Sequence, residues 1–538
     1  GQETSFYRGL SSVLGKGDKL ALYNTFTGNP GFLKQDITQK LNVTVEDVMK
    51  VYDKYIKGKF YLTTSFVPKK RTDLALKNSI LADVNEEKII IGAEAAVNPN
   101  ISSTYEKTPS TFDRSKEPDY GPQISIRIPE IYIDSLSNGL KIYGIENDEV
   151  PLVSFNLSIN GGQLLDSFDK TGLAYITASL MNKGTKNKTV NELEEAIKEL
   201  GATIYISCSS ENINVSGTTL SKNYEETVLL VEEMLLEPRF DETEFEILKK
   251  SISSNILQQK ANPYSIADNA FYKLIYGEKN IRSKNILGTY KSLESITIDD
   301  VKSFYNNNFS PSVSKILVVG NLNKNELINS LGSIETNWKS KKVKIPSYTT
   351  PKKPEKSQVY FIDVPGAKQS VLLFGSQALS ATDTDYYPAY VMNYILGGGG
   401  FASRLTQELR EGKGYTYGIN SRFYGTNSKG TFTISSAVRS NVTLESAELI
   451  KNILTNYPKT FSENDLETTK SFLIKSNARA FETSNAKLSI LSNISNYNLD
   501  LNYVEKREKI VKNMTVERIE ELANKYVNPN KMIWLIVG

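Results

Sequence analysis

Three times along the chain a capped helix is followed by a short apolar strand, and this recurrence restricts the fold more than any other feature. Thr44-Val45-Glu46-Asp47-Val48, Thr297-Ile298-Asp299-Asp300-Val301 and Thr515-Val516-Glu517-Arg518-Ile519 share one pattern. A threonine at the N-cap, acids in the first turn and an aliphatic beyond them open a helix. The helices run to near Tyr55, Phe309 and Tyr526, and strand-like stretches follow: Phe60 to Val67, Lys315 to Val319, and Met532 to Val537. A single capping box says little. Three with the same sequel are three ends of one kind of module, roughly two hundred residues long.

That spacing divides the chain. Residues 1–68 read as the closing part of a module whose front precedes Gly1, and the opening Gly1-Gln2-Glu3, without methionine, as a trimmed or cleaved start. Residues 69–125 read as an extended linker punctuated by Asn98-Pro99-Asn100 and Thr108-Pro109-Ser110, with a helix-like 72–82 and a short Ile89-Ile90-Ile91. Residues 126–335 form one whole module, 336–349 a linker and 350–538 a second module. In the first, Gly139 to Ile145 and Pro151 to Asn160 alternate as strands; helices near 170–182 and 190–200 precede strands at 203–208 and 213–218, and three more helices follow to 276. In the second, strands at 359–364 and 369–375 lead through a helix ending at Leu396 to strands near 421–424 and 430–437, then to helices at 443–456, 463–483 and 485–496. Both predict an α+β fold of repeated two-layer modules, antiparallel sheets packed by helices.

Composition excludes several chemistries. The 538 residues contain no histidine, which removes Ser-His and Cys-His catalysis and any His-ligated zinc. One cysteine, Cys208, rules out an intrachain disulfide framework. A net charge of +3 with both signs mixed gives no sign of a nucleic-acid partner. No apolar run reaches membrane-spanning length.

The stretch that carries chemistry runs from Leu396 to Tyr417. Gly397 to Gly400 free the backbone and permit close approach of another chain. No Gly-Lys-Ser/Thr follows, so this is not a phosphate loop. Phe401, Leu405 and Leu409 recur at i, i+4 and i+8 as the apolar stripe of a short helix, Gly412 and Gly414 end it, and Tyr415 to Ile419 alternates as a strand. Arg410 then sits in the last helical turn and Tyr417 just inside the strand. A guanidinium presents five donors in a fixed fork and a phenol gives or takes a hydrogen bond, a pair suited to the carbonyls of an extended peptide.

This Gly-rich, Arg-Glu, Gly-Tyr pattern resembles the second half of pitrilysin/insulinase-type zinc metallopeptidases. The resemblance implies that Arg410 and Tyr417 bind substrate opposite a zinc centre held in another half, with Gly398, Gly399 and Phe401 in the same surface. In the family a His-x-x-Glu-His helix follows Gly-Leu-Ala. Here Gly172-Leu173-Ala174 is followed by Tyr175-Ile176-Thr177-Ala178-Ser179, so Tyr175 and Ser179 stand at the ligand positions and Ala178 at the general-base position. The later acidic ligand has no counterpart in Lys249-Lys250-Ser251-Ile252-Ser253-Ser254-Asn255. The resemblance therefore implies a non-catalytic, substrate-binding half without a cofactor of its own, inactive alone. It is expected in a clamshell around a closed chamber, with zinc supplied by an upstream segment or a partner chain. The alternative is a scaffold or peptide-binding subunit without turnover. A bacterial periplasm is the expected compartment, with the cytoplasm as the other candidate.

Overall fold

The computed structural model describes residues 1–83, 111, 113, 115, 116 and 128–538. Two of the three capped helices close modules as the pattern predicts. Thr297 accepts from the Asp300 amide while the Asp300 carboxylate accepts from the Thr297 amide, which opens helix Ile298–Asn308. Thr515 accepts from the Arg518 amide and opens helix Val516–Tyr526.

Each helix delivers its strand into the middle of a sheet. The first sheet contains β1 (Ile131–Ser135), β2 (Lys141–Glu146), β3 (Leu152–Asn160), β4 (Thr203–Cys208), β5 (Asn212–Leu220) and β6 (Ser314–Gly320), in the order β1-β2-β6-β3-β5-β4. The second contains β7 (Gln358–Ile362), β8 (Gln369–Gln377), β9 (Thr416–Tyr424), β10 (Thr431–Arg439) and β11 (Ile533–Val537), in the order β7-β11-β8-β10-β9. The closing strand β6 runs parallel to β2 and antiparallel to β3, and β11 runs parallel to β7 and antiparallel to β8. The expected antiparallel sheets thus each contain one parallel pair, because the closing strand returns through a helical crossover. One face of each sheet packs on its own module's helices, around Leu157, Ile176 and Val231 in the first and Phe374, Leu454 and Leu522 in the second.

The other faces are covered reciprocally. Helix Pro263–Tyr276, from the first module, lays Ala267, Phe271 and Ile275 on Val371, Leu373 and Leu535 of the second sheet. Helix Ser484–Tyr497, from the second module, lays Leu491 on Ile145, Leu317 and Val319 of the first. The Gln377 amide donates to the Ile275 carbonyl at 2.9 Å across the same junction.

Several expectations need correction. Residues Gly1–Ile37 group with Ile126–Gly538, and Thr38–Ser125 form a separate unit. The reason is local: helix Gln2–Gly9 docks on the first module, where Thr4 donates to the Gly201 carbonyl at 2.6 Å and Tyr7 and Leu10 pack on Val150, Leu152 and Leu220. In the separate unit, Thr44 and Asp47 form the third capping box and helix Val45–Tyr55 follows, but residues 60–67 form no strand. The helix-like 72–82 contains only the single turn Thr72–Leu74, and Ile89 to Ile91 lie outside the described residues. Strand β1 and the helices Lys324–Ser330, Gly332–Asn337 and Tyr503–Asn513 have no counterpart in the sequence reading. Among the described residues no helix is long and apolar enough to cross a membrane.

Candidate functional site

Helix Tyr386–Asn393 widens into a π-type turn, Tyr394–Gly398, where it meets β9. A Cβ on Gly397 would lie 2.3 Å from Ser421 Oγ and 2.8 Å from Leu405 Cδ1, so only glycine fits. The chain that comes close is therefore this protein's own β9. Asn393 fixes that contact, donating to the Ser421 carbonyl at 2.8 Å and accepting from the Ser421 hydroxyl at 2.6 Å. Gly398 and Gly399 continue the turn against Asn393 and Tyr394.

The single helix expected from Phe401 to Leu409 is divided. Gly400, at φ +57°, opens a short turn Gly400–Ala402, one α-turn Arg404–Thr406 follows, and a wide turn Gln407–Gly412 completes the segment. Leu405 and Leu409 are fully buried, but Phe401 is off the stripe and 59% exposed. Its ring serves another purpose: the Arg410 guanidinium carbon lies 4.6 Å from its centroid. Arg410 also approaches Glu411, with Nε 3.3 Å from Oε1. Its carbonyl accepts from the Gly414 amide at 3.0 Å, and this tight turn reverses the chain into β9.

Tyr417 is placed by a β-bulge. Ile419 pairs with Ser436 and Thr416 with Val438, so Tyr417 and Gly418 together oppose Ala437. In unbroken alternation Tyr417 would share the buried face of Ile419; the bulge turns it outward, to 90% exposure. Hydroxyls hold the bulge: Thr416 Oγ1 lies 2.8 Å from the Ala437 carbonyl and accepts from the Gly418 amide at 3.0 Å, and Ser436 donates to the Gly418 carbonyl at 3.0 Å. Arg410 and Tyr417 thus stand at the same end of β9, an edge strand, without touching each other among the described residues. Sequence reasoning singles out both residues but does not show the contact of Arg410 with Phe401 or the bulge.

At the degenerate zinc positions, helix Leu173–Leu180 carries a half-buried Tyr175 packed on the core, a fully buried Ala178 and a half-buried Ser179. Where an acidic ligand would be needed, Lys249 Nζ donates to the Ile296 carbonyl at 3.1 Å and lies 5.0 Å from the Phe245 ring. These residues do not fit zinc. Among the described residues no group of three or more His, Cys, Asp or Glu could hold a metal ion. Asp166 fixes the start of the helix, accepting from the Gly172 and Ala174 amides, both at 2.8 Å. Burial pushes its carboxyl up to about 7, although both bonds favour the charged form. Burial likewise pushes the nearby Cys208 thiol up, which leaves it an inert packing group.

A concavity of about 490 Å³ lies between the modules. Tyr272 and Tyr276 stack along one wall, with Tyr424, Tyr497 and Asn496 also lining it. At its margin Arg282 bonds both the Glu211 carboxylate and the Ser428 hydroxyl, which joins the first module to the second. Sequence reasoning missed this cavity because its walls come from segments far apart in the chain.

Two layered α+β modules, an unsuitable zinc helix and an Arg/Tyr-bearing edge strand define a metallopeptidase-like unit with no metal site among the described residues. The family descriptions agree: residues 143–287 match "Insulinase (Peptidase family M16)" and residues 295–473 match "Peptidase M16 inactive domain". The chain belongs to the insulinase family, as a zinc-less member. It is 24% identical over 401 residues to "Non-peptidase homolog YmxG" of Helicobacter pylori, a match covering 73% of this chain and 90% of that protein. Its fold matches the peptidase M16 inactive domain from Pseudomonas fluorescens with a TM-score of 0.71 and 25% identity, over 76% of this chain and 98% of that one. It also matches the periplasmic protease PqqL from Escherichia coli, with a TM-score of 0.62 and 15% identity, over 76% of this chain and 47% of that one.

Proposed function

We propose that this chain is the substrate-holding, non-catalytic half of an insulinase-type peptidase whose zinc centre resides in another unit of the same family. The carrying observation is the pair of donors at one end of β9. Tyr417 is turned fully outward by a bulge, and Arg410 is braced on Phe401. An extended peptide adding to this free edge offers its carbonyls to both. The two donors stabilise the oxyanion that develops when the opposite, zinc-bearing unit directs water at the scissile carbonyl. The fit of this fold to about half of a larger protease supports a division of labour between two such units.

The test is binding of a long unstructured peptide to this chain, followed by turnover after a zinc-bearing insulinase-type unit is added. Peptide binding weakened by Arg410→Ala, with turnover only in the mixture and about a hundredfold slower for that variant, is the expected result. Binding indifferent to Arg410→Ala would favour the scaffold reading. Cleavage by this chain alone would overturn the proposal.

A further inference from the structure

Lys315 is a cation at a position where the sister strand carries an apolar side chain. It stands two residues before Leu317 in β6, as Ile533 stands two residues before Leu535 in β11. Ile533 is buried among the apolar groups beneath helix Pro263–Tyr276. Lys315, only 7% exposed, meets helix Ser484–Tyr497, where its Nζ donates to the Asn496 side-chain carbonyl. The Asn496 amide donates in turn to Ser492 Oγ at 3.0 Å. An ammonium has three N–H groups, and among the described residues this bond occupies one of them. No carboxylate balances the charge. Glu211 borders the same hollow but is bonded to Arg282, and the neighbour in register on β2 is a second cation, Lys141. Burial, reinforced by Lys141, lowers the Lys315 ammonium to about 8. A buried charge without a counter-charge opposes folding, so the fold alone gives no reason for a lysine here.

Space for an anion lies on two sides of it. Lys315 lines both a groove of about 660 Å³ and a hollow of about 310 Å³. The groove runs beside helix Ser484–Tyr497, over the face of the first sheet that the helix leaves open. Its floor is polar and neutral: Ser158, Asn214 and Ser207 continue the register row of Lys315 across β3, β5 and β4. Among the described residues Lys315 is the only charged side chain that lines this groove.

We propose that Lys315 is the binding site for a single carboxylate carried by an extended peptide that lies in this groove. That the carboxylate belongs to a peptide rests on the proposed function. One buried cation with two unused N–H groups suits a monoanion, and the hydroxyls and amides of the floor suit peptide backbone. A phosphate carries nearly two charges and three acceptor oxygens, and is matched by clustered arginines instead. The peptide supplies the carboxylate either from its C-terminus or from an acidic side chain.

The experiment is calorimetric titration of the full chain with an N-acetylated, unstructured, neutral peptide in three forms. One has a free C-terminal carboxylate, one is amidated, and one is amidated with a glutamate in mid-sequence. A carboxylate form is expected to bind about ten- to a hundredfold tighter than the neutral form, and which one does so identifies the source. Lys315→Met is expected to erase that preference without lowering the melting temperature, because an apolar chain of similar length replaces an unpaired buried charge. In the wild type the preference should fall by up to tenfold per pH unit above about 8, since only the charged amine holds the anion. Lys141, Lys487, Arg282, Glu211, Tyr205 and Tyr348 are the other titratable groups around it, and the Lys315→Met profile isolates the contribution of Lys315. Equal affinity of the three forms for the wild type would overturn the inference with no variant needed, as would a preference that survives in Lys315→Met. A carboxylate preference lost in Lys315→Met, with binding indifferent to Arg410→Ala, would leave this inference standing and defeat the proposed function. Binding weakened by Arg410→Ala without any carboxylate preference would do the reverse.

Discussion

The central carbon of the Arg410 guanidinium lies 4.6 Å from the centroid of the Phe401 ring, although Phe401 itself is largely exposed. An aromatic ring so exposed contributes little to the fold, and under the proposed function it braces the Arg410 side chain. Phe401→Ala is therefore expected to weaken peptide binding about two- to fivefold, since such contacts contribute roughly 0.5–1 kcal/mol at exposed sites. The melting temperature should not change. Fluorescence anisotropy with a labelled peptide, beside a thermal scan, separates the two readouts, and a large drop in stability would assign Phe401 to the core.

Thr416 makes the bulge that turns Tyr417 outward, through its bonds around Gly418 and Ala437. Replacing it with valine keeps the shape and removes the hydroxyl. Thr416→Val should cost about 1–3 kcal/mol of stability and weaken peptide binding as much as Tyr417→Phe does. If binding stayed intact in Thr416→Val, the bulge would be irrelevant to the site.

Arg282 is a partly buried cation bonded to Glu211 within its module and to Ser428 on the next. Removing one partner of such a pair leaves the other charge stranded. Arg282→Met should cost about 3–5 kcal/mol in urea unfolding, and Arg282→Met/Glu211→Gln should recover much of that loss. Additive losses in the double variant would show that the two side chains are not coupled.

Asp166 makes stability depend on pH in an unusual direction for a carboxylate. Its folded value, about 7, lies above its ordinary 3.8, so between these two the native state binds the extra proton. Stability from this group is present below about 4, falls as the pH rises to about 7, and is flat beyond, with a slope of up to ~1.4 kcal/mol per pH unit. Asp166→Asn cannot titrate. The wild type should lose stability relative to it between pH 5 and pH 8 in denaturant titrations, and parallel profiles would contradict this.

The sequence made visible what is locally encoded. Thr297 and Thr515 announce their helices because capping needs only residues a turn apart. The loss of zinc chemistry was legible at Tyr175, Ala178 and Ser179, since a ligand must be a particular residue type at a particular place. Phe401 was misplaced because Ser403, extended at φ −87° and ψ 145°, separates its turn from the helical segment that carries Leu405 and Leu409. Residues 60–67 look like a strand in composition, yet a strand exists only where a neighbour pairs with it. The Arg282 bridge and the tyrosine-lined cavity depend on folding distant segments together, and no local pattern encodes them.

The exchange of helices Pro263–Tyr276 and Ser484–Tyr497 has a mechanical consequence. Each module roofs the other's sheet, so parting them would strip apolar strands on both sides at once. The two modules are thereby tied together as one body, and under the proposed function the motion that admits a peptide takes place outside that body, on the side where β9 presents its edge.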